Sequence, residues 1–204
     1  MRPGFIATLV GLLLAACAAQ TSSTYDGWYQ AREARPPQGR KVFVCHAFGC
    51  LRTTPVTFTE AEVKALTLPL RDAATPAAER AAISDSVQAY ERIVGARIGT
   101  SADTGGFEKI GGGDPTQMDC LDEATNTTSL LLLLAGEGAL KHHQVLSPVA
   151  RGFFLDGRYP HATAVIGEKG GGPRYAVDSW PNANAEPPEI MPLKAWFAAR
   201  GGAS

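Results

Sequence analysis

The chain has 204 residues, 45% of them hydrophobic and 19% charged, and 19 Lys and Arg against 20 Asp and Glu leave a net charge of −1. The basic residues are scattered, which excludes the charged groove that a nucleic-acid-binding domain needs. No apolar run reaches the roughly 20 residues of a membrane-spanning helix, and no internal repeat divides the chain.

The amino terminus reads as an address. Arg2 and the free amine precede an apolar core from Phe5 to Ala16, closed by Leu14-Ala15-Ala16-Cys17. The run is too short to span a bilayer and has the layout of a signal peptide. Leu-Ala-Ala-Cys resembles a bacterial lipobox, which implies removal of residues 1–16 and a diacylated Cys17 anchored in a membrane. Ala18, rather than Asp, follows the cysteine. By the same resemblance this implies the outer membrane and a periplasmic location. Ordinary cleavage nearby, with Cys17 incidental, is the alternative. Residues 17–39, which include Trp28 and Tyr29, read as a tether. The processed chain of about 185 residues suffices for one core and not for two, so 40–204 reads as a single domain.

Lys41–Val44 is a strand candidate ahead of Cys45-His-Ala-Phe-Gly-Cys50, whose cysteines are close enough for a local disulfide in an oxidising compartment. Thr59–Leu68 opens with Thr-Glu-Ala-Glu and reads as a helix stopped near Pro69. Thr75-Pro76 offers an N-cap and a proline at the first helical position. From Ala77 to about Ile98, the residues Ile83, Val87, Tyr90 and Val94 form the apolar stripe of a long amphipathic helix. Ser101–Gly113 is a glycine-rich loop leading to Asp114-Pro115. The next helix begins at Asp119-Cys120-Leu121-Asp122-Glu123-Ala124, is apolar all round at Leu130–Leu134, and ends at Gly136 and Gly138. It reads as the buried central helix. Strands are expected at Gln144–Val149, Gly152–Leu155, Tyr159–Ile166 and Arg174–Trp180, with Asp156-Gly157 among the turn signals. The fold class is therefore α+β, an antiparallel meander packed on the cysteine helix.

With Cys17 lipidated and Cys45 paired to Cys50, Cys120 stands alone, and an unpaired cysteine in an exported chain needs a reason. Catalysis is one; a small buried hydrophobe is another, and pairing with Cys45 or Cys50 a third. A zinc site from Cys45, Cys50, His46 and the His142–His143 pair has none of the usual ligand spacings. At the first turn of a helix, a thiol feels the dipole and exposed N–H groups, which favour thiolate and can cradle an oxyanion. Asp119, Asp122 and Glu123 oppose that shift, so activation needs a basic partner. His161 and Asp178 supply one. They are equidistant from the centre of the Gly167–Gly172 loop, so a symmetric hairpin sets them directly opposite each other. A slip of one residue would throw them onto opposite faces.

Three segments then carry a family likeness: Asp-Cys-Leu-Asp-Glu-Ala at 119–124, His-Ala-Thr-Ala-Val-Ile at 161–166 and Tyr-Ala-Val-Asp-Ser-Trp at 175–180. Together they resemble the core of the transglutaminase-like superfamily, and more closely the bacterial transglutaminase-like cysteine proteinases, over roughly a third of the chain. The resemblance implies a papain/transglutaminase-like fold, with Cys120 as nucleophile, His161 as general base and acid, and Asp178 as its orienter. Asp119 before the cysteine matches the proteinases rather than the Gly-Gln-Cys-Trp of cross-linking enzymes. Calcium is bound by some members of that family, and no residues here map onto such a site.

The leading expectation is a membrane-anchored periplasmic protease or amidase that works by thioester acyl transfer on a protein or peptide at the cell envelope. It requires no cofactor and no metal. Gln117 is a further candidate oxyanion donor, with a loop role as its alternative, while His142 and His143 are candidates by residue type alone. A cell-wall amidase of the Cys/His kind is a second enzyme reading, although Ser-Gly does not follow the cysteine. A catalytically silent lipoprotein that binds a partner or the cell wall is the reading from another class.

Overall fold

Two threonines start helices where their surroundings predict them. Thr59 caps α2 (Glu60–Thr67) in a reciprocal box with Glu62, and Thr75 caps α3 (Pro76–Ile98) ahead of a first-turn proline. These elements belong to a computed structural model that describes residues 24–106, 112–152 and 160–199. The signal segment and Cys17 lie outside the described residues.

In chain order, α1 (Tyr25–Gln30) leads into a hairpin of β1 (Lys41–His46) and β2 (Arg52–Thr57), followed by α2, a 3-10 turn at Leu68–Leu70, and α3. The helix α4 (Cys120–Gly136) then precedes β3 (His143–Arg151), β4 (His161–Glu168), β5 (Arg174–Asp178), β6 (Glu189–Pro192) and α5 (Leu193–Ala198). Strands β3 to β6 form one antiparallel sheet in sequential order, and β1–β2 form a second. The class is α+β, and α4 lies at the centre of the core.

Several expectations need correction. The tether assigned to 17–39 is partly folded: Trp28 and Tyr29 of α1 are each only 1% exposed. Burying two large aromatic rings is worth several kcal/mol, enough to hold a six-residue helix that could not stand alone. The strand expected at Gln144–Val149 is longer, beginning at His143 and continuing past Val149. β3 runs unbroken to Arg151 with a bulge between Leu146 and Val149, where Pro148 cannot donate to the ladder. Residues 153–155, the Asp156-Gly157 turn and Tyr159 lie outside the described residues. β2 and β6 are additional strands.

One half of α4 is oily, and Leu130, Leu131, Leu133 and Leu134 join Ile83, Val87, Ile166 and Val177 in the main core. The other half is polar, yet just as buried. Most of its buried polar groups are tied to other elements, while Thr128 bonds back to the Ala124 carbonyl within the helix. Asn126 brackets Cys45, accepting from its N–H and donating to its carbonyl, both at 2.8 Å. Thr125 accepts from the Trp28 indole at 2.9 Å, and Ser129 shares a hydrogen bond with the Tyr29 hydroxyl at 2.7 Å. Ser179 donates to Glu123 at 2.6 Å. Paired in this way, the polar groups cost little to bury and lock the helix in one rotation.

Candidate active site

Cys120 is the first residue of α4 because Asp119 caps the helix. Asp119 Oδ1 accepts from the N–H groups of Leu121 and Asp122 at 3.0 and 2.9 Å, and its carbonyl accepts from Glu123. Asp122 answers from inside the first turn, taking the Asp119 N–H at 3.2 Å. These contacts consume most of the helix-start donors. Among the described residues, the N–H of Cys120 itself is the one left without a partner, so the oxyanion cradle expected of this turn reduces to that group.

The same Asp122 carboxylate grips the Cys45–Cys50 disulfide loop, accepting from Phe48 N–H at 2.8 Å and Cys50 N–H at 2.6 Å. Burial first, and then the charge of Asp119, push this carboxyl up to about 7, while the backbone donors pull the other way. The loop is unusual: Ala47, Phe48, Gly49 and Cys50 all have positive φ, between 59° and 71°. For the three non-glycine residues this costs roughly 1–2 kcal/mol each.

The Cys120 thiol is 8% exposed and donates to the Pro160 carbonyl at 3.9 Å. Burial, reinforced by the negative charges of Asp119, Asp178 and Asp122, pushes it up to about 12, against a smaller opposing pull from the Ala162 N–H. Burial, with the acidic residues beside it, therefore keeps the resting sulfur a thiol.

Next to Pro160, at the start of β4, sits His161. Its Nε2 meets Asp178 Oδ2 at 2.5 Å, both side chains being almost wholly buried. An ionised carboxylate only accepts, so Nε2 carries the proton in this contact and Nδ1 is the basic nitrogen. That Nδ1, like Asp178 Oδ1, is buried with no hydrogen-bond partner. The pair is not directly opposed as a symmetric hairpin requires. Ile166 faces Tyr175 and Gly167 faces Arg174, which carried along the strands sets Asp178 opposite Thr163. The slip is two residues, so the face is kept and the two side chains meet on the diagonal.

Two indoles hold the imidazole. Trp180 lies 4.5 Å from it between ring centroids and Trp196, on α5, 5.4 Å. Trp196 also donates to the Asp178 oxygen that His161 uses, at 2.7 Å. Trp196 has no motif to announce it: Leu-Lys-Ala-Trp-Phe-Ala reads as a short apolar helix, and nothing in its spacing points to Asp178.

Other candidates go elsewhere. Gln117 donates its amide to the Ala102 carbonyl at 3.3 Å, a loop contact. The zinc set is dispersed: Cys45 and Cys50 are bonded to each other, His46 bridges Pro115 and Thr54, and His143 belongs to Glu79. Asp122 lies close to both disulfide sulfurs, but sulfurs joined to each other offer no thiolate. No protein-family model, curated protein or solved structure matches the chain, so the geometry of the site carries the functional argument.

Proposed function

We propose that the chain is a cysteine hydrolase of the cell envelope, a protease or amidase with a papain/transglutaminase-like arrangement, anchored through a lipid on Cys17. The observation that carries this reading is the His161–Asp178 pair. It is buried, oriented through Nε2 and left with an unpartnered Nδ1, one residue from the carbonyl that receives the Cys120 thiol. In the reaction, His161 Nδ1 takes the thiol proton and the sulfur bonds to an amide carbonyl carbon. The Cys120 N–H meets the developing oxyanion. Collapse breaks the C–N bond as the imidazolium returns its proton to the leaving amine, and a water activated by His161 then cleaves the thioester. Asp178 steadies the imidazolium throughout.

The deciding measurement is iodoacetamide alkylation of Cys120 against pH in the full-length chain, read by mass on the Cys120 peptide. Reaction that persists below pH 7 and slows in His161→Ala is expected of a thiolate–imidazolium pair. A second reading, a catalytically silent envelope lipoprotein, is favoured by the raised thiol, and it predicts no reaction until strongly alkaline pH. Mass analysis of the mature chain tests the anchor: a diacyl group on Cys17 is expected, and an unmodified amino terminus elsewhere rules it out.

A further inference from the structure

Beside the cluster that holds the thiol lies a cation with no carboxylate partner among the described residues. Arg32 follows α1, and its guanidinium carbon lies 3.2 Å above the centre of the Trp28 ring. Its Nη1 donates to the Trp28 carbonyl at 3.1 Å. Trp28 is itself pinned by its indole bond to Thr125 and packs in one apolar cluster with Cys120, Ala124, Ala162 and Trp180. The guanidinium is thus held on a rigid platform that borders the nucleophile. Burial pushes it down to about 10, against the negative charge of Asp119 and of Cys120 once ionised, which leaves it cationic at neutral pH. Among the described residues no carboxylate lies within ion-pair distance, and its Nε is buried without a hydrogen-bond partner. A partly buried cation without a counter-ion is costly, and a planar guanidinium fork suits one ligand above others: a carboxylate, met by two parallel N–H donors.

We infer that Arg32 is a specificity residue, binding a carboxylate that the substrate carries close to the scissile carbonyl. The substrate class is then an acidic peptide or one ending in a free α-carboxylate at the cleavage point. This rests on the hydrolase reading of Cys120, and it adds a preference that reading alone does not contain.

Two alkylating reagents of nearly equal size separate the possibilities. Iodoacetate carries a carboxylate and iodoacetamide does not. Their rates at Cys120 are compared in the full-length chain for wild type, Arg32→Gln and Arg32→Lys. The wild type should favour iodoacetate, and Arg32→Gln should lower the iodoacetate-to-iodoacetamide ratio about tenfold or more, the worth of a charge-assisted hydrogen bond. Arg32→Lys should fall between them, because it keeps the charge without the fork; it also supplies the comparison if Arg32→Gln does not fold. A ratio unchanged in both variants overturns the assignment while leaving the hydrolase reading intact. A thiol inert to both reagents sinks the hydrolase reading, and the role of Arg32 with it.

Discussion

Among the described residues there are two buried carboxylate–imidazole pairs, and they differ in what is left over. At one, Glu79 accepts from the N–H groups of Lys141, His142 and His143 as well as from the His143 ring at 2.8 Å. The other ring nitrogen of His143 accepts from Arg80, which continues to Glu168 and lies over the Tyr175 face. Every strong hydrogen-bonding group of that pair is occupied. At the other, His161 and Asp178 are as buried and as close, yet one nitrogen and one oxygen have no partner. Burying a polar atom unpaired costs roughly 1–3 kcal/mol, so a fold keeps such atoms where something else is to bond them. Closeness and burial are common to both pairs; what sets them apart is spare bonding capacity, absent at Glu79–His143 and present at His161–Asp178.

Substitutions can break this contrast. Asp178→Asn should lower acylation of Cys120 by an activated ester about 10³-fold, roughly 4 kcal/mol of activation, because the neutral amide no longer steadies the imidazolium. An unchanged rate would remove Asp178 from the mechanism and make its pair with His161 a second scaffold. Glu79→Ala should instead act on the fold, costing about 3 kcal/mol in urea unfolding because three backbone donors and a ring lose their acceptor. Cys120 alkylation in the folded fraction should not move; if it did, the two pairs would be coupled. The smallest effect is one of pH. Burial raises the Glu79 carboxyl, but four hydrogen bonds outweigh it and the net direction is down. The unfolded chain therefore takes up its proton first on acidification. The stability this group supplies is present above its ordinary value of 4.5 and lost as pH falls below it. Glu79→Gln should flatten that part of the stability–pH curve, and a slope identical to wild type would mean the clamp carries no charge.

How far the sequence could be read follows from where the signals are local. Helix starts at Thr59, Thr75 and Asp119 are legible because the capping side chain and the first turn are neighbours in the chain. The facing of His161 and Asp178 is legible because a hairpin keeps parity, even though the register was two residues off. The missing pieces depend on distant contacts. β2 contains Pro55, which cannot donate to a ladder, yet an edge strand of a two-stranded sheet tolerates it. β6 is four residues long, and α1 and α5 are six each, all too short for periodicity to announce them. Trp28 and Trp196 reach the candidate site from these elements and Arg32 from just beyond α1, so the meeting of His161 with Asp178 was legible and the groups that surround it were not.

The short disulfide loop also decides which thiols stay apart. Cys45 and Cys50 are five positions apart, whereas joining either to Cys120 closes a loop roughly fifteen times longer, at an entropic cost about 2 kcal/mol greater. Four successive left-handed residues work against the short ring, but Asp122 captures two of their N–H groups and offsets much of that cost. Whenever an oxidant reaches the unfolded chain, the near pair should close first and withdraw from exchange. Closed in this way, the ring leaves neither of its sulfurs available to Cys120, which is a free cysteine in the folded protein.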